Sequence, residues 1–354
     1  MVNKTSAIHA CCCHIIPPRV LAQLAKDRKL TPVQRRAFAR AARMETQWRE
    51  LRTVVTRVAQ VARDEMPSLV KVAAVAAPVS VQVFDCEHGN VLPGRSLVHP
   101  DSASDETARR TFSETAQVAR FFREVFGRNS LDGEGMALMS SIHYSVDYNN
   151  AFWNGAQMVY GDGDGEIFLD FTRAGDVIAH ELTHGVTQFT AGFVYEGEAG
   201  GLNESMSDVF GTMYRQWRLD QDVAGADWLI GSDILGPQAR SRGYTCLRDL
   251  ANPAAAHCLA PQPTHFSQFR KGMDPHESSG IANYAFYRAA KALGGRSWEM
   301  PGRIWFQALA GTAPNPNMTM KLFANRTRTA ASRLYSGRPV VRAAVDAAWK
   351  AVGL

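Results

Sequence analysis

No stretch of eighteen uninterrupted apolar residues occurs in this 354-residue chain, so a transmembrane helix is not expected. The opening residues Met1-Val2-Asn3-Lys4-Thr5-Ser6 lead into no apolar core before Cys11, so a conventional secretion signal is not expected either. Export by another route and retention in the cytoplasm both stay open. Cysteine is too scarce and too unevenly placed for a disulfide framework. Cys11, Cys12 and Cys13 stand together at the front, and the three in the body, Cys86, Cys246 and Cys258, cannot all pair. A Cys246–Cys258 bridge across a surface loop is one reading of the last two, and a pair of unlinked thiols is the other. The run Gly161-Asp162-Gly163-Asp164-Gly165 lacks the ligand spacing of an EF-hand and is read instead as a hairpin tip.

A large net charge is also missing, but the overall +5 conceals an asymmetry. Residues 1–64 carry thirteen Lys/Arg against four Asp/Glu, while the remainder carries 26 basic and 30 acidic residues. A basic front on an acidic body fits nucleic-acid binding, a solvated Arg-rich helix, or docking of the segment onto its own chain. Docking is preferred to nucleic-acid binding, because opposite charge draws the two parts together. Neither nucleic acid nor a membrane is expected as a partner, and the chain is expected to be a monomer.

What is present suffices for two domains and a cleft: 45% hydrophobic and 21% charged residues are ordinary globular values at this length. Residues 1–50 read as a separate, propeptide-like segment whose boundary falls between 45 and 80. Residues 51–200 are expected to form a β-rich lobe and 201–354 a mainly helical one. In the front segment Ile15-Ile16-Pro17-Pro18 reads as extended, since each proline fixes its own φ and restricts the residue before it. Thr31-Pro32 then opens a long Ala/Arg helix, with Thr as N-cap and Pro in the first turn, in a pattern reaching about Asp64. In the body, alternation predicts a strand over 79–84 and further strands within 136–172, with an amphipathic helix over 107–126 ending at Gly127. Helices are expected over 203–220, 280–293, 298–310, 318–335 and 338–352. Strands first and helices later argue for an α+β fold in two lobes.

The chemistry concentrates in His180-Glu181-Leu182-Thr183-His184 and, about twenty residues on, Asn203-Glu204-Ser205-Met206-Ser207-Asp208. A helix brings positions i and i+4 onto one face, so His180 and His184 can hold one metal ion together. Glu181 is placed to take a proton from water rather than to bind the ion. Two imidazoles and a carboxylate, with a fourth position open, make a catalytic zinc site, and Glu204 supplies the third ligand. Asp208, one turn later, can reach a ligand imidazole and fix its tautomer. A solvated polar helix face would explain the pentapeptide alone, but it says nothing of the downstream block. It also leaves the apolar lead-in Val177-Ile178-Ala179 without a reason. The pattern is the known zinc-metalloprotease signature.

The chain resembles the thermolysin family of zinc endopeptidases, and within it the protealysin-like group with a short propeptide. The likeness runs from about Val79 to the C-terminus. It is densest in Ser141-Ile142-His143-Tyr144, Asn149-Asn150-Ala151-Phe152-Trp153-Asn154-Gly155, Gln157-Met158-Val159-Tyr160-Gly161-Asp162-Gly163-Asp164-Gly165 and Gly200-Gly201-Leu202-Asn203-Glu204. Ile-Pro-Pro followed by Val20-Leu21 is similar to the start of protealysin-like propeptides. The resemblance implies a two-lobed fold with a central zinc helix, and a zymogen whose partners are polypeptide substrates and its own propeptide. It implies oxyanion donors at Tyr195 and at His276, in Asp274-Pro275-His276-Glu277-Ser278-Ser279-Gly280. It sets Asn203 beside Asp208 as support for the ligands. Asn150 and the Ala151 backbone should lie on an edge strand where an extended peptide can add itself. Arg248 matches the arginine that grips a substrate carbonyl. Phe168, Val177 and Leu247 match the pocket for a bulky apolar residue just after the scissile bond, with ordinary core packing as the other reading.

Two departures from the family stand out. An Asp five residues before His276 is replaced by Lys271, so the carboxylate orienting that histidine is absent or supplied by Asp274. At the family's double calcium site Asp176 and Asp227 stay acidic, but Arg215, Leu229 and Ser232 replace the other ligands. One cation and two neutral side chains cannot complete such a cage, so one catalytic zinc and no double calcium site are expected. The alternatives are a catalytically silent binding module of the same fold, or an exopeptidase, for which no terminus-catching motif is seen. Cys13-His14 could touch the metal of a latent enzyme or be incidental.

Overall fold

A computed structural model describes residues 13–64 and 79–354, and of 49–64 the backbone only. The front segment begins with strand β1 (Cys13–His14), then helices α1 (Pro18–Lys26) and α2 (Pro32–Asp64). The body opens with β2 (Val81–Asp85), β3 (Arg95–Ser96) and α3 (Glu106–Phe126). There follow β4 (Leu138–Ile142), β5 (Ala151–Trp153) and β6 (Met158–Tyr160). Two central helices, α4 (Gly175–Gln188) and α5 (Gly197–Arg218), lead to β7 (Leu229–Ile230), α6 (Pro237–Ser241) and β8 (Arg248–Asp249). The chain ends in α7 (Pro275–Leu293), α8 (Met300–Ala310), α9 (Met320–Leu334) and α10 (Pro339–Ala351). Strands thus precede helices, an α+β arrangement of two lobes. No described helix is long and apolar enough to cross a membrane.

The six-stranded sheet runs β1-β5-β6-β4-β2-β3, with β2, β4 and β6 mutually parallel and the outer pairings antiparallel. The β5–β6 hairpin turns at Asn154, whose side chain accepts from the amides of Ala156 and Gln157. The hairpin tip therefore lies there and not at Gly161–Gly165, which follows β6 as a loop. Asp164 explains that loop: its Oδ1 accepts from the amides of Glu166, Ile167 and Phe168, an Asx turn in place of strand pairing.

Local signals account for most element ends. Thr31 caps α2, its Oγ1 accepting from the Gln34 amide at 3.2 Å. Asp105 caps α3, which stops at Gly127 with φ 67°. Helix α1 was not anticipated: Pro18 stands at its first position, where a missing N–H costs nothing, and Val20, Leu21 and Leu24 bury its apolar stripe.

Helices α4, α5 and α7 meet at unusually close range. A Cβ on Gly211 of α5 would lie 2.7 Å from the Asp176 carbonyl of α4, and one on Gly201 would lie 2.4 Å from Ser278 Oγ of α7. Any larger residue at either position would push the helices apart. This three-helix junction, buried along nearly its whole length, carries the polar residues of the site.

Candidate active site

On α4, His180 and His184 project side by side, their Nε2 atoms 3.1 Å apart. Glu204 on α5 faces both, with Oε2 3.5 Å from His180 Nε2 and Oε1 3.6 Å from His184 Nε2. All three side chains are fully buried. A tetrahedral ion bound at about 2.0–2.1 Å by nitrogen and oxygen has donor–donor edges of about 3.3 Å, which these distances bracket. Glu204 Oε2 has no hydrogen-bond partner, an expensive state for a buried carboxylate oxygen unless a cation meets it. The donor set therefore fits zinc, with His180, His184 and Glu204 as the residues that could hold it.

The opposite ring nitrogens are engaged. His180 Nδ1 lies 2.9 Å from Asp208 Oδ1, and His184 Nδ1 lies 2.8 Å from Asn203 Oδ1 and 3.0 Å from Ser207 Oγ. Each ring thus turns Nε2 toward Glu204. Burial drives His184 down to about 3, whereas His180 rises to about 9 because Asp208 and Glu204 outweigh its burial. Glu204 itself is held well below the usual carboxylate range, burial being outweighed by His276 and His184.

Glu181, one residue after His180, turns aside from this set. Its Oε2 accepts from the Trp153 amide of β5 at 3.0 Å, and Oε1 has no partner. Burial raises it well above the carboxylate range, as suits a group that takes up a proton.

Tyr195 and His276 stand across the cleft, with Tyr195 Oη 3.3 Å from His276 Nε2 and donating to Glu204 Oε1. Asp274 is the carboxylate that orients His276: its Oδ1 lies 2.7 Å from Nδ1 and also accepts the His276 amide at the start of α7. Arg248 on β8 is fully buried, with Nε and Nη2 on Asp208 at 2.8–3.1 Å.

The chain's own front segment lies along these residues. β1 pairs with β5, so the edge expected at Asn150 and Ala151 is already taken. The Ile15 amide donates to the Ala151 carbonyl at 3.1 Å, and Asn150 Oδ1 accepts from the Ile16 amide at 2.9 Å. His276 Nε2 donates to the His14 carbonyl at 2.5 Å, and Arg248 Nη1 to the Ile15 carbonyl at 3.0 Å. Cys13 Sγ lies within 4.8 Å of ligand atoms of His184 and Glu204. In this structure Cys13 is disulfide-bonded, its partner lying outside the described residues.

Phe168, Val177 and Leu247 are fully buried, and the Phe168 ring meets Phe38 of α2 edge-on, centroids 6.2 Å apart. Sequence reasoning missed Asn283, whose Nδ2 donates to Asp208 at 2.8 Å, and the Trp153 amide on Glu181. Neither had a local signal. Ser207 did, standing one helical turn after Asn203 on the same face.

Where the sequence departs from the family's calcium ligands, Arg215 places Nη1 2.5 Å from Asp233 and Nη2 3.6 Å from Asp227, near the buried Asp176. A guanidinium stands among the carboxylates.

Comparison with known proteins agrees with this geometry. Residues 98–188 match the thermolysin metallopeptidase catalytic domain, and residues 191–354 match the thermolysin metallopeptidase alpha-helical domain. An extracellular metalloprotease of Pectobacterium carotovorum subsp. carotovorum is 41% identical over 291 residues, covering 79% of this chain and 82% of that protein. The thermolysin of Alicyclobacillus acidocaldarius subsp. acidocaldarius is 35% identical, covering 77% of this chain and 50% of that protein. The precursor of protealysin, a metalloproteinase from Serratia proteamaculans, superposes with TM-score 0.81 at 34% identity, covering 96% of this chain and 99% of that structure.

Proposed function

The chain belongs to the thermolysin family of zinc metalloendopeptidases, and on that premise we propose that it is made as a zymogen whose front segment occupies its own cleft. His180, His184 and Glu204 would hold the one catalytic zinc. Zinc bound there polarises a peptide carbonyl and makes water a better nucleophile. Glu181 takes the proton of the attacking water, its proton affinity raised by burial. Tyr195 and His276 donate to the oxyanion that develops at the carbonyl, with Asp274 holding the imidazole in place. Asp208 and Asn203 fix the ligand rings, and Arg248 and Asn150 align the extended chain.

The observation that carries latency is the course of residues 14–16. The His14 carbonyl receives the His276 bond, and the next carbonyl, that of Ile15, receives Arg248. A substrate would present its scissile carbonyl and the following one in the same order. Ile15 then stands where a bulky apolar residue after the scissile bond would stand, in keeping with a pocket formed by Phe168, Val177 and Leu247. We read the double calcium site as replaced by the Arg215 cluster. Export suits a protease kept latent by its own segment, and a relative is named as extracellular.

Quenched-fluorescence peptides test the reading. A peptide with Leu or Phe after the cleaved bond should be hydrolysed by the processed enzyme faster than one with Asp there. Chelation should abolish turnover and zinc should restore it. Equal rates on both peptides would overturn the pocket assignment, and no turnover by zinc-loaded, processed enzyme would favour the silent binding module.

A further inference from the structure

A second cluster of metal-type donors lies outside the cleft, in the loop that carries β8. Cys246, His257 and Cys258 each place one donor atom within 4.8 Å of the others. The two sulfurs are 3.7 Å apart, far beyond the bonded distance of about 2.05 Å. Two thiolates on one tetrahedral zinc, each at about 2.3 Å, stand about 3.8 Å apart. The backbone sets this spacing: the Thr245 amide donates to the His257 carbonyl, and the Leu259 amide to the Cys246 carbonyl, at 3.0 Å each. Residues 245–246 and 257–259 are thereby clamped side by side.

We propose that Cys246, Cys258 and His257 form a second, structural zinc site, separate from the catalytic one. Zn²⁺ bound there displaces the two thiol protons to solvent. Two thiolates cancel its charge, so the bound cluster is neutral and tolerates the apolar surroundings of Ala255 and Leu229. Thiolate and imidazole donors select zinc over calcium or magnesium, which prefer oxygen. Asp249 Oδ2 lies 3.2 Å from His257 Nε2 and steadies the ring, as carboxylates do beside metal-bound histidines. The His257 side chain is 38% exposed, which gives the ion a way in and leaves a flank for water as fourth ligand. The site does its work through Asp249. That residue sits next to Arg248 on β8, and its Oδ1 also accepts the amides of Ala251 and Asn252. Pinning the 246–258 loop therefore pins the strand from which Arg248 reaches the cleft.

The test is metal content of the full chain as purified, by mass spectrometry, in wild type and in the Cys246→Ser/Cys258→Ser double variant. Wild type should hold one more zinc per chain than the double variant. Because the readout is a difference, it does not depend on the catalytic ligands proposed above. Cobalt substitution adds a signature: thiolate-to-cobalt charge-transfer absorption in the near ultraviolet, lost in the double variant. If that variant does not fold, His257→Gln, changed at a half-exposed side chain, should release the extra zinc to a mild chelator that leaves it in wild type. Equal zinc in wild type and double variant, unchanged retention in His257→Gln, or a Cys246–Cys258 disulfide in peptides mapped without reductant would overturn the proposal.

Discussion

Arg248 holds two partners that lie far apart in the chain: its Nη1 donates to the Ile15 carbonyl at 3.0 Å, while Nε and Nη2 grip the Asp208 carboxylate. Asp208 in turn faces His180 Nδ1, so one buried guanidinium links the front segment to a zinc-ligand ring. This connection makes the following outcomes specific.

Replacing Arg248 by Ala leaves Asp208 buried with only His180 and Asn283 to offset its charge. Loss of one partner of a buried pair costs about 3–5 kcal/mol, readable as a lowered urea midpoint. Arg248→Lys keeps the charge but cannot reach both partners, so the processed enzyme should show a raised KM with a smaller change in kcat. An unchanged KM would remove Arg248 from the substrate contacts.

Glu181→Gln should keep zinc and fold but lose turnover by roughly 10²–10⁴-fold, the usual worth of a general base. His184→Ala and Glu204→Gln should instead lose the catalytic zinc. Metal analysis beside peptide hydrolysis separates the two classes, and a Glu181→Gln enzyme with near-normal turnover would refute the assigned base.

Withdrawing calcium alone, with zinc held constant, should leave the melting temperature unchanged, because Arg215 occupies the ground between Asp233 and Asp227. Arg215→Leu should lower it, since Asp176 would then stay buried beside two uncompensated carboxylates. A calcium-dependent shift in the wild-type melting curve would contradict the replacement.

His143 supplies a pH signature remote from the metal. Its ring lies 2.8 Å from both Asp162 and Asp105, and these pairings raise it to about 9 against burial. A histidine raised in the folded state stabilises fully below its unfolded value of about 6.5, and that contribution fades as pH climbs through 9. Thermal melts should therefore lose stability between pH 6.5 and 9.5 in wild type, and lose less in His143→Gln. Parallel pH curves for the two proteins would rule this out.

The sequence was most legible where function depends on helical spacing. His180 and His184 follow from the i, i+4 rule, with Glu181 beside them, and Glu204 and Asp208 lie one turn apart on the next helix; Ser207, one turn after Asn203, had the same signal and was missed. Helix ends with chemical punctuation, such as Thr31-Pro32 and Gly127, were readable too. Less legible were contacts made by topology alone. Nothing local ties Asn283 to Asp208, or the Trp153 amide to Glu181, because each pair meets only after separate elements dock. The Gly161–Gly165 loop misled because glycine and aspartate suit a hairpin tip and an Asx turn equally. Lys271 left two readings, an absent carboxylate or Asp274, and the helix cap at the start of α7 is what brings Asp274 Oδ1 to 2.7 Å from His276 Nδ1.

Latency is the central claim, and rates of peptide hydrolysis before and after cutting test it most directly. A tethered segment competes at an effective concentration on the order of mM, so at ~0.1 mM peptide the full chain should be slower by about tenfold or more. A cut between residues 45 and 80, followed by separation of the front segment, should release that activity while the body keeps its fold. Equal rates for the full chain and the separated, folded body would show that residues 13–16 do not guard the cleft.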